Sequence, residues 1–200
     1  MTRQIIPIMP TPLMVEESLL SDEDYATLLE NISEVLEKTE GKYHMFQCDV
    51  ESTYREYNIG KDEKFKKINY AVLEAVNDMA KQLGAVREIA LFDGWLNRYV
   101  KGQHQELHHH GNFHFSAVYF AEFAEGSSPL MFENKNYPLN EPLFDSNYQT
   151  GWQRMTALEA KPNTLVIFPS NIFHMVPPSR NESGYRTTIA WNFREVEERV

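Results

Sequence analysis

Tyr25, Leu28, Leu29, Ile32, Val35 and Leu36 recur at three- and four-residue intervals, the spacing of one buried helix face. Ser21 precedes the stripe, and Asp22, Glu23 and Asp24 crowd what would be its positive end. Asp24 stands three residues after Ser21, as in a capping box, and Gly41 is placed to close the element. A second stripe runs from about Asp62 through Phe65, Ile68, Val72, Ala75, Val76, Met79 and Leu83, with Gly84 as its stop. Both helices are expected to pack against a sheet. Upstream, Ile5, Ile6 and Ile8 read as a short strand halted by prolines.

After Val86 the pattern changes. EIALFDGWLNRYV, FHFSAVYFAEF, LMF, TLVIFP, FHMVPP and YRTTIAWNF are short apolar and aromatic runs separated by polar turns. They are rich in Val, Ile, Tyr, Phe and Thr and carry no helical stripe, so they predict strands. Two helices followed by five or more strands suggest helices packed outside a β-sandwich or jelly roll. No Gly/Ser/Pro linker marks the change, so a single domain is expected over 1–200, helical over 1–86 and β over 87–200. The stretch 133–153, ENKNYPLNEPLFDSNYQTGWQ, reads as a long irregular insertion. Its Tyr137, Phe144, Tyr148 and Trp152 suggest a lid or substrate-contacting loop rather than a solvated linker.

Charge narrows the partners. Against 29 Asp and Glu stand 19 Lys and Arg, a net charge of −10, which argues against a phosphate-tracking surface and hence against nucleic acid. The lone cysteine, Cys48, cannot form an internal disulfide, which suits a reducing compartment. The opening is broken by Pro7, Pro10 and Pro12, unlike a signal peptide, and no apolar run approaches the ~18–20 residues of a membrane span. A soluble, cytoplasmic protein without a membrane partner is the expectation; an exposed edge strand could support a homodimer.

The densest chemistry lies in GQHQELHHHG, residues 102–111. On a strand, residues two apart share a face, so His108 and His110 can address one ion while His109 turns away. His174 follows the strand-like TLVIFP and offers a distant third imidazole, and Arg186 heads the next strand. Taken singly, each has an ordinary reading: a polar turn, a half-buried histidine, a salt-bridged arginine. Along YRTTIAWNF, Arg186, Thr188, Ala190 and Asn192 share one face, and Thr187, Ile189, Trp191 and Phe193 the other. The polar face suits an interior holding a charged ligand. Ser116, Val118 and Phe120 would line the opposite strand.

From Trp95 to Phe120 the pattern W-L-N-R-Y-V-x-G-x-x-Q-x-x-H-x-H-x(5)-S-x-V-Y-F resembles the iron(II)/2-oxoglutarate-dependent oxygenases of bacteria and marine phages. P-N-T-L-V-I-F-P-S-x-x-x-H to His174, Y-R-T-T-I-A-W-N-F from Tyr185, and the opening I-x-P-x-x-P-T-P carry the same resemblance. It implies a double-stranded β-helix, a cupin-like jelly roll, with two N-terminal helices on its major sheet. It implies Fe(II) at His108, His110 and His174, and 2-oxoglutarate held at its far carboxylate by Arg186 with Thr188, with Tyr99 touching the cosubstrate. The implied activity is a dioxygenase, a hydroxylase consuming O₂ and acting on an amino acid, a protein side chain or a small metabolite. No catalytic side chain beyond the metal ligands is expected.

The sequence departs from the wider superfamily at one ligand. The facial triad of these enzymes is two histidines and one carboxylate. Here the second position is His110, which leaves the site one negative charge short. Two other readings stay open: a three-histidine, cupin-like metal dioxygenase that uses no 2-oxoglutarate, and a non-catalytic metal- or carbohydrate-binding jelly roll. Within the segment, His104 and Glu106 form a rival His-x-Glu pair four residues upstream.

Overall fold

The computed structural model describes residues 11–39, 47–135 and 154–196. Ser21 caps α1 (Asp22–Lys38): its hydroxyl accepts from the Asp24 N–H and donates to the Asp24 carboxylate. The helix ends at Thr39, whose N–H and hydroxyl both donate to the Val35 carbonyl and so satisfy an exposed helix end. Gly41, the expected stop, lies outside the described residues, as do Ile5, Ile6 and Ile8. The second helix, α2 (Lys66–Gln82), starts later than its stripe suggests. Asp62 caps a single 3-10 turn at Glu63–Phe65 instead, accepting from the Lys64 N–H, and the chain enters the helix only after that turn.

The strands are β1 (Met14–Glu17), β2 (Glu51–Ser52), β3 (Ile89–Tyr99), β4 (Gln105–His108), β5 (Phe115–Phe123), β6 (Leu130–Glu133), β7 (Met155–Leu158), β8 (Thr164–Pro169), β9 (His174–Val176) and β10 (Arg186–Glu195). They form a six-stranded sheet in the order β1-β8-β5-β10-β3-β2 and a four-stranded sheet in the order β4-β9-β6-β7. Every pairing is antiparallel. All six strand-like runs of the sequence appear. The short β1, β2 and β7 had no such signature.

Alternation along the large sheet separates two apolar layers. Ala117, Tyr119, Leu165, Ile167, Ile189, Trp191 and Phe193 face the helices and join Leu28, Ile32, Val72 and Val76. Val118, Phe120, Val166, Phe168 and Ala190 face the small sheet and pack with Leu130, Phe132 and Val176. This two-residue period is why one strand, β10, can seal the helical core with Trp191 and present polar groups to the other side. Gly94 makes room for that seal, because a Cβ there would lie 2.5 Å from the Trp191 ring. No helix among the described residues is long and apolar enough to cross a membrane. Of the aromatic insertion, residues 136–153 lie outside the described residues, so the expected lid does too.

Candidate metal centre

Between the sheets lies a cavity of about 220 Å³. His108, His110 and His174 meet on its wall, with potential ligand atoms all within 4.8 Å of one another. They arrive by different routes. His174 opens β9 and is paired in register with His108, the last residue of β4. His110 lies beyond that strand, which corrects the expectation that strand alternation alone would align it with His108. Its position comes from a backbone tie instead: its N–H donates to the Ser170 carbonyl at 2.7 Å. His109 is exposed at the rim of the cavity, outside the cluster and edge-on to the Phe173 ring, 4.5 Å between centroids. His104 is engaged through its backbone with Asp49 and stands apart from the cluster.

Each of the three rings has one nitrogen committed. Nδ1 of His108 is 2.8 Å from the Glu106 carbonyl, Nδ1 of His174 is 3.0 Å from the Ile172 carbonyl, and Nδ1 of His110 is 2.6 Å from Asn192 Oδ1. Carbonyl oxygens only accept, so in each neutral ring Nδ1 carries the proton and Nε2 is left with its lone pair. That is the arrangement in which histidines bind metals, with the outer nitrogen donating to fix tautomer and orientation. Electrostatics agree. Burial, reinforced by the neighbouring His108, brings His110 down to about 4. Burial also lowers His108, and it holds His174 well below the ordinary histidine range, with His108 and His110 adding to the effect. All three are therefore neutral near pH 7, as coordination requires. The donor set fits a divalent first-row metal, for which imidazole is a suitable ligand.

Behind His110 runs a hydrogen-bonded network that the sequence did not announce. Asn192 Oδ1 also accepts from the Ser116 hydroxyl at 3.1 Å, and Asn192 Nδ2 donates to Asp93 Oδ1 at 2.9 Å. Ser116 is further bonded to Ser170 at 2.8 Å. The side of β10 carrying Asn192 was legible from alternation; its pairing with Asp93 depends on the sheet register.

At the other end of the cavity Arg186 is buried, 1% exposed. Its Nε donates to the Ser128 carbonyl at 3.0 Å, its guanidinium lies over the Tyr99 and Phe120 rings, and one terminal nitrogen has no partner. Burial lowers the Arg186 pKa, opposed by Tyr99. Tyr99 itself is pushed up to about 12, by burial first. Thr188 lines the same cavity.

The donor set overturns the expectation of an Fe(II)/2-oxoglutarate dioxygenase. Among the described residues no carboxylate joins the cluster: it is three imidazoles, not the two histidines and one carboxylate of the facial triad. The rival pair fails too, since Glu106 lines the cavity without entering the cluster. A three-histidine, cupin-type centre is the reading this geometry favours.

The family model described as "Putative 2OG-Fe(II) oxygenase" matches residues 93–192, from Asp93 to Asn192. No curated protein sequence matches the chain. Among solved structures, HygX from Streptomyces hygroscopicus with nickel and 2-oxoglutarate bound is similar at a TM-score of 0.66 and 11% identity, covering 93% of this chain and 83% of HygX. A Pseudomonas putida prolyl-4-hydroxylase is similar at 0.66 and 13%, over 94% of each chain. The viral collagen prolyl hydroxylase of Paramecium Bursaria Chlorella virus-1 is similar at 0.61 and 17%, over 92% of this chain and 96% of that one. At these identities the likeness is one of fold. The family match spans half of the sequence and takes in His108, His110, His174 and Arg186: the chain belongs to the 2OG-Fe(II) oxygenase family.

Proposed function

We propose that the chain is a metal-dependent dioxygenase of the three-histidine type that acts directly on a small organic acid. In this reading the two sheets are the faces of a double-stranded β-helix within one domain. His108, His110 and His174 hold a redox-active divalent metal through Nε2, and Arg186 anchors the substrate carboxylate, flanked by Tyr99 and Thr188. The observation that carries the reading is the set of three converging imidazoles, one buried and two half-buried, with their tautomers fixed by Glu106, Ile172 and Asn192. Arg186 supports the anionic substrate: a buried guanidinium with an unpartnered nitrogen leaves a charge-assisted bond for a ligand to make.

In a dioxygenase reaction without a cosubstrate both atoms of O₂ enter the one organic substrate, which supplies all four electrons. Bound metal would supply activation of O₂. The chain orients the acid between Arg186 and the three rings, and the apolar side chains of Val118, Leu130, Val176 and Ala190 keep the cavity poor in water.

The test is O₂ uptake by the metal-reconstituted protein against a panel of small carboxylic acids, with ¹⁸O₂ to trace the product. Uptake that needs the acid alone, with two labelled oxygens in the product and loss on Arg186→Met, is expected. Uptake that needs 2-oxoglutarate and yields succinate would overturn the proposal. Metal retention without turnover of any acid would support a non-catalytic metal-binding jelly roll instead.

A further inference from the structure

The pairing of β4 with β9 contains an irregularity with a chemical consequence. Gln105 pairs with Val176 and His108 with His174, so three steps along β4 match two along β9. One extra residue is accommodated in β4, and such a bulge re-aims side chains. In a regular strand Gln105 and Glu106 would point to opposite faces. Here Gln105, Glu106 and His108 all line the cavity, while Leu107 is turned out, 41% exposed. The Gln105 amide donates to Glu106 Oε2 at 2.5 Å and steadies the carboxylate.

Among the lining residues, Arg186 and Glu106 are the lysine-, arginine-, aspartate- or glutamate-type charges, one of each sign. Among the described residues neither has a counter-ion. Arg186 donates to the Ser128 carbonyl, meets the neutral Tyr99 side chain and leaves one nitrogen unpartnered; Glu106 receives the neutral Gln105 amide. Withdrawing a charge from water without a partner is costly, and Arg186 is so withdrawn, while the half-buried Glu106 presents its carboxylate to the same cavity. A cavity that offers two opposite charges without counter-ions is matched by a ligand that brings both counter-charges.

We propose that the substrate is a zwitterion, an amino acid in the broad sense, with its carboxylate on Arg186 and a protonated amine on Glu106. This rests on the proposed role of Arg186 as the carboxylate anchor and adds to it a binding residue for the amine. Glu106 is then a specificity-determining group beside the metal ligands, and the bulge in β4 is the device that delivers it.

Calorimetric binding to the nickel-loaded protein tests this without turnover. The probes are matched pairs differing in one amine: γ-aminobutyrate against butyrate, δ-aminovalerate against valerate, and leucine against isocaproate. One charge-assisted bond corresponds to about a 10- to 100-fold change in affinity. At least one amine-bearing partner should bind tighter by that factor. Glu106→Gln should erase the difference while leaving nickel content and binding of the plain acid unchanged.

Equal affinities within every pair would overturn the zwitterion while leaving Arg186 as the anchor, provided the plain acids still bind and lose affinity in Arg186→Met. Persistence of the difference in Glu106→Gln would also overturn it. Loss of nickel in that variant would make Glu106 a metal ligand and overturn its assigned role. Absence of binding by every probe would overturn the anchor and the zwitterion together.

Discussion

Replacing Asn192 with alanine removes the acceptor that fixes His110. Asn192 is 3% exposed and makes three bonds: it accepts from His110 Nδ1 at 2.6 Å and from Ser116 at 3.1 Å, and it donates to Asp93 at 2.9 Å. Burial raises the Asp93 pKa, and the Asn192 bond works against that rise, so the substitution should move Asp93 higher still. Ser116, 3.1 Å from His110 Nδ1, remains as a second partner for the ring but is a weaker guide to its orientation. Losing an outer hydrogen bond to a metal-binding histidine costs about 10- to 100-fold in metal affinity. That corresponds to about 1.4–2.7 kcal/mol. A separate loss of about 1–3 kcal/mol in folding stability is expected from the stranded buried groups. Competition titration of Co(II) against a chelator measures the first quantity and urea unfolding of the metal-free protein the second. Asn192→Asp retains an acceptor and can share a proton with Asp93, so it should recover most of the metal affinity. Unchanged affinity in Asn192→Ala, with only stability reduced, would refute the idea that this amide orients His110.

The three depressed histidines make the metal-free fold sensitive to acid. The unfolded chain takes up protons near the ordinary value of 6.5, whereas folded His110 does so only near 4, so stability is full above that window and falls as pH drops through it. The slope is about 1.4 kcal/mol per pH unit for each ring, and thermal melts of wild type against His110→Asn should show it flatten by one proton. Arg186→Met should raise the Tm of the ligand-free protein, because a desolvated, incompletely paired charge is removed, while butyrate binding falls at least about tenfold; a fall in Tm would show that the Ser128 bond outweighs desolvation. Gly94→Ala should destabilise by about 1–3 kcal/mol in urea, since the new Cβ would meet the buried Trp191 ring at 2.5 Å, and an unchanged midpoint would show that the ring yields freely.

What the chain reveals in advance depends on whether a contact is local. Helix α1 and its Ser21 cap are legible because the stripe and the capping residues lie within one segment. The six apolar strands are legible from composition, and the two faces of β10 from alternation, with Asn192 inside and Trp191 in the helical core. The register between strands is not local. Nothing in GQHQELHHHG shows that one residue is bulged, so Glu106 reads there as half of a rival metal pair rather than as a neighbour of Gln105 on the cavity wall. The rule for regular strands puts His110 beside His108. The structure reaches the same cluster through the Ser170 carbonyl, a contact between segments far apart in sequence. Short strands such as β2, with Glu51 and Ser52 only, carry too few residues to show any period.

The departure at His110 also has a compensation built around it. A carboxylate ligand would bring negative charge directly to a bound metal; an imidazole brings none. His110 is the ring backed by a side-chain network, whereas His108 and His174 end on backbone carbonyls. Through Asn192 its Nδ1–H is linked to Asp93, whose carboxylate is half-buried and bonded to the far side of the same amide. Polarised chains of hydrogen bonds strengthen one another in a low dielectric. The charge missing from the ligand position is thus set back, at two hydrogen bonds' remove, onto an acid that polarises His110 toward a bound metal. Family membership carries the sheets, the cavity and Arg186, while the exchange of one ligand resets what a metal held there would experience.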